Sequence, residues 1–230
     1  MNWSYGITTV PSRLNTLLPR TLQSLASAGF DSPTLFIDGG IGPVEFDDLG
    51  RRNYVLRSKP TGNFGNWLSA LLNLYTNDPT ADLYAIFEDD ILACRNLRRF
   101  LESSPLPAGY MNLFLFPCNE QLAAGRKGWF RATGWAGQGA QGLVFRRSEV
   151  ISLLSSPKMA RHPMDPQNGR FRIDGAIVDT LTPLGAFEFC HYPSLLQHVG
   201  TETTIPRKAE CRQAESFPGE EFDAMELLKC

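Results

Sequence analysis

Residues 82–92, DLYAIFEDDIL, constrain this chain more than any other stretch. An apolar run, Leu83 to Phe87, leads directly into three consecutive carboxylates, Glu88, Asp89 and Asp90. A run of that length predicts a strand buried on both faces, as in α/β sheets. In an open α/β sheet, ligands sit beyond the carboxyl ends of the strands. Acidic residues there are placed to hold a metal ion or a ribose; the other reading is a solvated acidic turn.

The stretches before it alternate strand and helix. Residues 3–10 read as a first strand, ending at Pro11-Ser12-Arg13. Leu14, Leu17, Leu18, Leu22 and Leu25 then fall on one helical face, with Pro19 in the first turn and Gly29 as the stop. Residues 34–37 and 53–57 are two further strands, the first ending in the turn Asp38-Gly39-Gly40. KPTGNFGNW (59–67) leads into a helix burying Trp67, Leu71, Leu72 and Tyr75, and 94–104 into another. After that come strands at 110–116 and 143–147, a loop over 117–142, and a helix capped by Ser148. A loop over 156–172 precedes a helix with Asp174 at its start, and 187–200 is a strand and turn. This order predicts an α/β fold: one domain with a Rossmann-like, mainly parallel central sheet flanked by helices.

Composition removes several classes of function. Net charge is −2, with both signs intermixed, so there is no basic field for nucleic acid and no polybasic stretch for anionic lipid. No run approaches the ~18–20 apolar residues that span a bilayer. MNWSYGITTV lacks the pattern of a secretory leader, and five scattered cysteines without a CxxC pair suit reduced thiols. A cytoplasmic location is expected.

The order strand–TTVPSR–helix, strand–Asp, Gly/Asn turn into helix, strand–EDD resembles the GT-A fold glycosyltransferases. HYPSLLQHVGTETT (191–204) resembles a late segment of the N-acetylglucosaminyltransferase IV-like branch and related bacterial transferases. The resemblance spans about residues 3–200. It implies a GT-A domain over 1–200, with a nucleotide-binding half (1–104), an acceptor and catalytic half (105–200), and a tail over 201–230. It also implies a metal-dependent, inverting transfer of a hexosyl or N-acetylhexosaminyl group from a nucleotide-sugar, a UDP-sugar, to a hydroxyl acceptor such as a glycan. A non-catalytic nucleotide- or sugar-binding domain and a sugar-1-phosphate nucleotidyltransferase are the alternatives. The latter would want a glycine-rich phosphate loop after the first strand, which TTVPSR is not.

By the same resemblance Asp90 is a metal ligand, with Asp89 on ribose or metal and Glu88 orienting the site. His198 is the second metal ligand, or else a residue that hydrogen-bonds in a turn. Hard Mg²⁺ or Mn²⁺ suits the carboxylates, and an imidazole ligand favours Mn²⁺. Asp174 is the candidate base, with Asp179 and Glu149 as competitors; an aspartate at a helix start is equally a cap. Thr8, Pro11, Arg13, Asp38, Asn63 and Asn66 are candidate nucleotide contacts, although Asp38 also suits a turn. Trp129 and Trp135 offer faces to a sugar or pack inside, and the loop with His162 is a candidate lid.

Overall fold

Four parallel strands, β1 (Trp3–Thr9), β2 (Thr34–Asp38), β3 (Tyr54–Arg57) and β4 (Leu83–Glu88), stand side by side in the order β3-β2-β1-β4. The structure is a computed structural model that describes residues 1–40, 52–123, 125–134, 136–161, 173–200 and 213–229. Helix α1 (Leu18–Ser27) links β1 to β2, and α2 (Gly62–Asn77) links β3 to β4. The leucine stripe explains the packing of α1: Leu14, Leu18, Leu22 and Leu25 are buried against one face of the sheet. Pro19 is the second residue of α1, where no intrahelical amide bond is lost.

β4 is central because it is apolar all round. Leu83, Ala85 and Phe87 enter the core on one side of the sheet, while Tyr84 and Ile86 enter the core on the other. Each large side chain so buried contributes roughly 1.5–3 kcal/mol. β1 is registered against β4 from Trp3–Leu83 to Thr8–Glu88, so the ends of the two strands coincide.

The chain continues through β5 (Ile91–Ala93), α3 (Leu97–Ser103), β6 (Gly109–Asn112), α4 (Pro117–Ala123), β7 (Gly128–Arg131) and β8 (Gly142–Arg146). Helices α5 (Arg147–Leu154), α6 (Pro157–Arg161) and α7 (Ile173–Leu181) follow, then strands β9 (Phe187–Tyr192) and β10 (Leu196–His198). The eight-stranded sheet has the order β3-β2-β1-β4-β8-β6-β9-β7. Only β8 and β7 run against the other strands. β10 leaves this sheet and pairs antiparallel with β5, placing His198 opposite Ile91.

The expected mainly parallel α/β sheet is therefore present, with differences in detail. Residues 117–142 are not one loop: they contain α4 and β7, and β7 closes the sheet edge on β9. Strand β6 stops at Asn112 because the chain then turns to meet β10 at Phe114–Leu196. Leu72 points outward at 50% exposure, since Trp67, Leu68 and Leu71 already fill the buried face of α2. Glu149, not Ser148, caps α5, by accepting the Arg146 amide at 2.5 Å. Cys94, Cys118 and Cys190 are free thiols. Among the described residues no helix is long and apolar enough to cross a membrane.

Residues 213–229 are tied across the small sheet. The Gln197 side chain donates to the Ala214 carbonyl and accepts its amide, at 3.0 and 2.9 Å. Glu120 accepts the amides of Glu215 and Ser216 at 2.9 and 2.8 Å, and Asp223 accepts Asn96 Nδ2 at 3.0 Å. Most of the tail's described part is thus a strap built into the fold.

Candidate active site

The carboxyl ends of β1, β2 and β4 form one edge, and Asp89 and Asp90 make the turn that leaves it. Thr21 of α1 braces that turn: its hydroxyl lies 2.8 Å from the Asp89 carbonyl and 3.0 Å from that of Ile91, and it accepts the Ile91 amide. Both aspartates are 3% exposed. Buried carboxylates need partners, and Arg13 supplies one to each: its Nη1 lies 2.6 Å from Asp89 Oδ1 and 2.9 Å from Asp90 Oδ2. The short 3-10 turn Pro11–Arg13 brings the guanidinium back over the strand end. Thr9 completes the shell, its hydroxyl donating to Asp89 Oδ2 at 2.5 Å.

His198 reaches the same spot from the far end of the sequence, its Nε2 lying 3.3 Å from Asp90 Oδ2. The Val199 amide donates to the Asp90 carbonyl at 2.8 Å, so the segment after β10 is anchored on the acidic turn. Gly200 closes the approach. A Cβ there would stand 2.4 Å from Asp90 Oδ2 and 3.2 Å from His198 Nε2. Gly200→Ala is accordingly expected to push Asp90 and His198 apart and weaken any cation binding at the pair more than tenfold. Mn²⁺ titration by calorimetry checks this, with about 1–3 kcal/mol of destabilisation from overpacking alongside.

The electrostatics separate the three acids. Burial pushes Asp90 up, but the hydrogen bond and charge of His198, with Arg13, outweigh it and hold its carboxyl below the usual range. Asp89 ends above its ordinary value, because burial exceeds what Arg13 and Thr9 return. Glu88 goes furthest: burial first, then the charges of Asp90 and Asp89, push it up to about 8. An acid raised on folding binds an extra proton in the folded state. Its stabilisation is complete below the unfolded value of about 4.3 and is lost as pH climbs toward 8. Urea unfolding of the metal-free protein should therefore show stability falling between pH 5 and 8. In Glu88→Gln that slope should flatten, and an unchanged slope would refute this assignment.

Asp174 lies at the start of α7, as expected. Its Oδ2 accepts the Gly139 amide at 2.9 Å and its Oδ1 the Gly175 amide at 3.2 Å. The same loop reaches the end of β4 two residues on, where the Gln141 carbonyl accepts the Glu88 amide at 3.0 Å, so residues 139–141 connect Asp174 to the acidic turn. The competitors do not share that position. Glu149 sits by Arg146, which pairs with Leu83 at the opposite end of β4, and Asp179 is exposed further along α7.

Other expected contacts have different partners. The Asp38 carboxylate accepts the Thr61 amide and hydroxyl and the Gly62 amide, at 2.8–3.0 Å, and so caps α2. Asn66 is 3% exposed and braces the strands, donating to the Phe36 carbonyl at 2.9 Å and accepting Arg57 Nε at 3.3 Å. Thr8 donates to the Phe87 carbonyl between β1 and β4 at 3.3 Å. Asn63 is exposed at the start of α2, and Pro11 opens the 3-10 turn. Trp129 packs edge-on against His191, which Phe100 meets from another side. The side chain of Trp135 and the loop with His162 lie outside the described residues.

Sequence reasoning did not single out Thr9, Gly200, Asn112 or Glu188. Gly200 was legible only as the close of the segment 191–200. Asn112 and Glu188 read as ordinary strand residues, since nothing in a strand pattern marks which polar side chain turns inward.

Asp90 and His198 are the residues that would hold a divalent cation, with Arg13 sharing Asp90 Oδ2. Asp90 Oδ1 is buried and has no hydrogen-bond partner among the described residues. One carboxylate oxygen and one imidazole nitrogen form a donor set suited to Mn²⁺. Among the described residues there is no cluster of three or more His, Cys, Asp or Glu side chains able to hold a metal. Asp90 and His198 would be the ligands from the described residues, with phosphate oxygens and water able to complete such a shell, a common arrangement where a cation is bound with a nucleotide.

The fold, a mainly parallel α/β sheet extended by antiparallel β8 with an acidic turn at its carboxyl edge, is one that solved structures share. HddC from Yersinia pseudotuberculosis is similar over 90% of this chain and 95% of its own, at 11% identity and a TM-score of 0.51. Its form complexed with GMP-PN gives 0.53 with the same coverage and identity. The catalytic domain of Drosophila beta1,4galactosyltransferase 7, complexed with xylobiose, aligns over 96% of this chain and 83% of its own, at 10% identity and 0.48. No protein-family model matches the chain, and no curated protein sequence does. Likeness at such identities speaks to the fold alone.

Proposed function

We propose that the protein is a metal-dependent, inverting glycosyltransferase that moves a sugar from a nucleotide-sugar, a UDP-sugar in the first instance, to a hydroxyl acceptor. The observation that carries this reading is the meeting of Asp90 and His198 at 3.3 Å, with Asp90 Oδ1 unsatisfied among the described residues. Within GT-A enzymes we assign it to the N-acetylglucosaminyltransferase IV-like branch and related bacterial transferases. In support, the end of the late segment is built onto Asp90, through His198 and the Val199 amide, and its earlier polar positions hold the segment in place. Ser194 accepts the Leu115 amide and donates to the Leu196 carbonyl, Gln197 grips Ala214, and Gly200 admits the acid.

In this mechanism the nucleotide lies along the carboxyl edge of β1, β2 and β4, with its diphosphate toward Asp90 and His198. Mn²⁺ or Mg²⁺ bound there supplies charge compensation for the departing diphosphate. Asp174 takes the proton of the acceptor hydroxyl as that oxygen bonds to the anomeric carbon and the sugar–phosphate bond breaks. The Gly139 and Gly175 amides, donating to its two oxygens, orient the Asp174 carboxylate. Calorimetry with UDP and GDP, each with and without Mn²⁺, tests the reading. Binding that requires the metal is expected for one of them, and failure of both to bind in a metal-dependent way sinks it.

A further inference from the structure

Beneath the Gly137–Gly139 loop lies a carboxyl group that the proposed chemistry does not use. Glu188, on β9, is 2% exposed. Its Oε2 accepts the Gly137 amide at 2.5 Å, with the Tyr110 hydroxyl 3.4 Å away, and its Oε1 accepts Asn112 Nδ2 at 2.8 Å. Asn112 Nδ2 also donates to the carbonyls of Gln138 and Gly139, at 3.1 and 2.9 Å, while its Oδ1 accepts the Phe114 amide at 3.2 Å. The loop is therefore gripped by an amide at one end and by carbonyls at the other.

Its upper side is equally constrained. Gly137 and Gly139 have φ of +75° and +82°, which only glycine adopts at little cost. A Cβ on Gly137 would come within 2.9 Å of Val178 and 3.1 Å of the Asp174 carbonyl, so the loop is wedged against the first two turns of α7. From that wedge Gly139 donates to Asp174 Oδ2. Glu188, Gly137, Gly139 and Asp174 thus form one continuous chain of contacts.

A buried carboxyl is a costly way to hold a loop, since apolar replacements of buried charged groups are often neutral or stabilising. A fully bonded polar network gives orientation that apolar packing does not. We infer that Glu188, together with Asn112, is a positioning residue for Asp174, fixing the loop so that the Gly139 amide holds the carboxylate toward the acceptor. Burial also pushes the Glu188 carboxyl up to about 7, against the bonds from Asn112 and Gly137.

This inference rests on Asp174 being the base of the proposed reaction, and its test has an arm that does not. In the ¹³C,¹⁵N-labelled full chain, the Gly139 amide shift should follow the Asp174 carboxyl carbon through one shared titration. Glu188→Gln keeps size but turns an N–H toward Gly137 or Asn112, and should abolish the Gly139 response. Asn112→Ser, which releases the two carbonyls and leaves Glu188 in place, should do the same. A Gly139 amide that still tracks Asp174 in both variants overturns the inference. In the second arm, hydrolysis of the active nucleotide-sugar should lose about ten- to a hundredfold in kcat in Glu188→Gln at unchanged KM. Unchanged kcat, with an active wild type, overturns the role as well. A wild type that hydrolyses no UDP- or GDP-sugar counts against the proposed function, while the titration still decides whether Glu188 positions Asp174.

Discussion

Asp174→Asn is expected to lower transfer by about 10²–10⁴-fold while leaving nucleotide affinity unchanged. Asparagine has the same shape, and with its oxygen on the Gly139 amide its Nδ2 faces only the longer 3.2 Å Gly175 contact, so the loop against α7 keeps its bond. What is lost is the capacity to take a proton from the acceptor. The metal-dependent nucleotide binding proposed for Asp90 and His198 does not use Asp174 and should survive. Parallel calorimetry and turnover assays distinguish the two, and wild-type turnover in the variant would exclude Asp174 as base.

Removing Arg13 should have the largest effect on the fold. Its side chain, 16% exposed, serves two aspartates whose side chains are each 4% exposed. Stripping a buried ion pair of one partner costs several kcal/mol, because the remaining charge is left unsolvated. Arg13→Ala is expected to lose about 3 kcal/mol at pH 7 by urea unfolding. Asp90 is an acid held below its ordinary value, so its contribution is present above the unfolded value of about 3.9 and lost as pH falls through the folded one. The penalty should shrink below about pH 4, and a deficit that persisted undiminished into acid would point to lost packing instead. Mn²⁺ at neutral pH should restore part of the loss, by giving Asp90 another cation.

The strand that organises the sheet could be read from residues alone, because burial on both faces leaves an uninterrupted apolar run such as Leu83 to Phe87. The leucine stripe of α1 was legible for the same reason. Less legible was everything decided by side-chain partners. Arg13 reads in sequence as a cation for phosphate, yet it is paired with Asp89 and Asp90, and only the return of the Pro11–Arg13 turn makes that so. Asp38 reads as a ligand contact or a turn residue and is the cap of a helix that starts more than twenty residues later. β7 was missed because its four residues include glycine and arginine and carry no alternating pattern. Glu188 was invisible: a single acid in FEFCHY looks solvent-facing until the loop above it is in place.

Synthesis proceeds from the amino end, and the acidic turn leaves the ribosome long before His198 does. At that stage β1, α1 and β4 are available, and with them Thr9 and Arg13, but β10 has yet to pair with β5. All the residues of the Arg13–Asp89–Asp90 pairing lie in the first ninety positions, so this part of the site needs nothing from the later chain. The imidazole arrives with β10, and Gln197, next to it, is secured only when Ala214 follows. Under the proposed function, the metal site would thus be completed only by the last part of the chain, coupled to the folding of its carboxyl end.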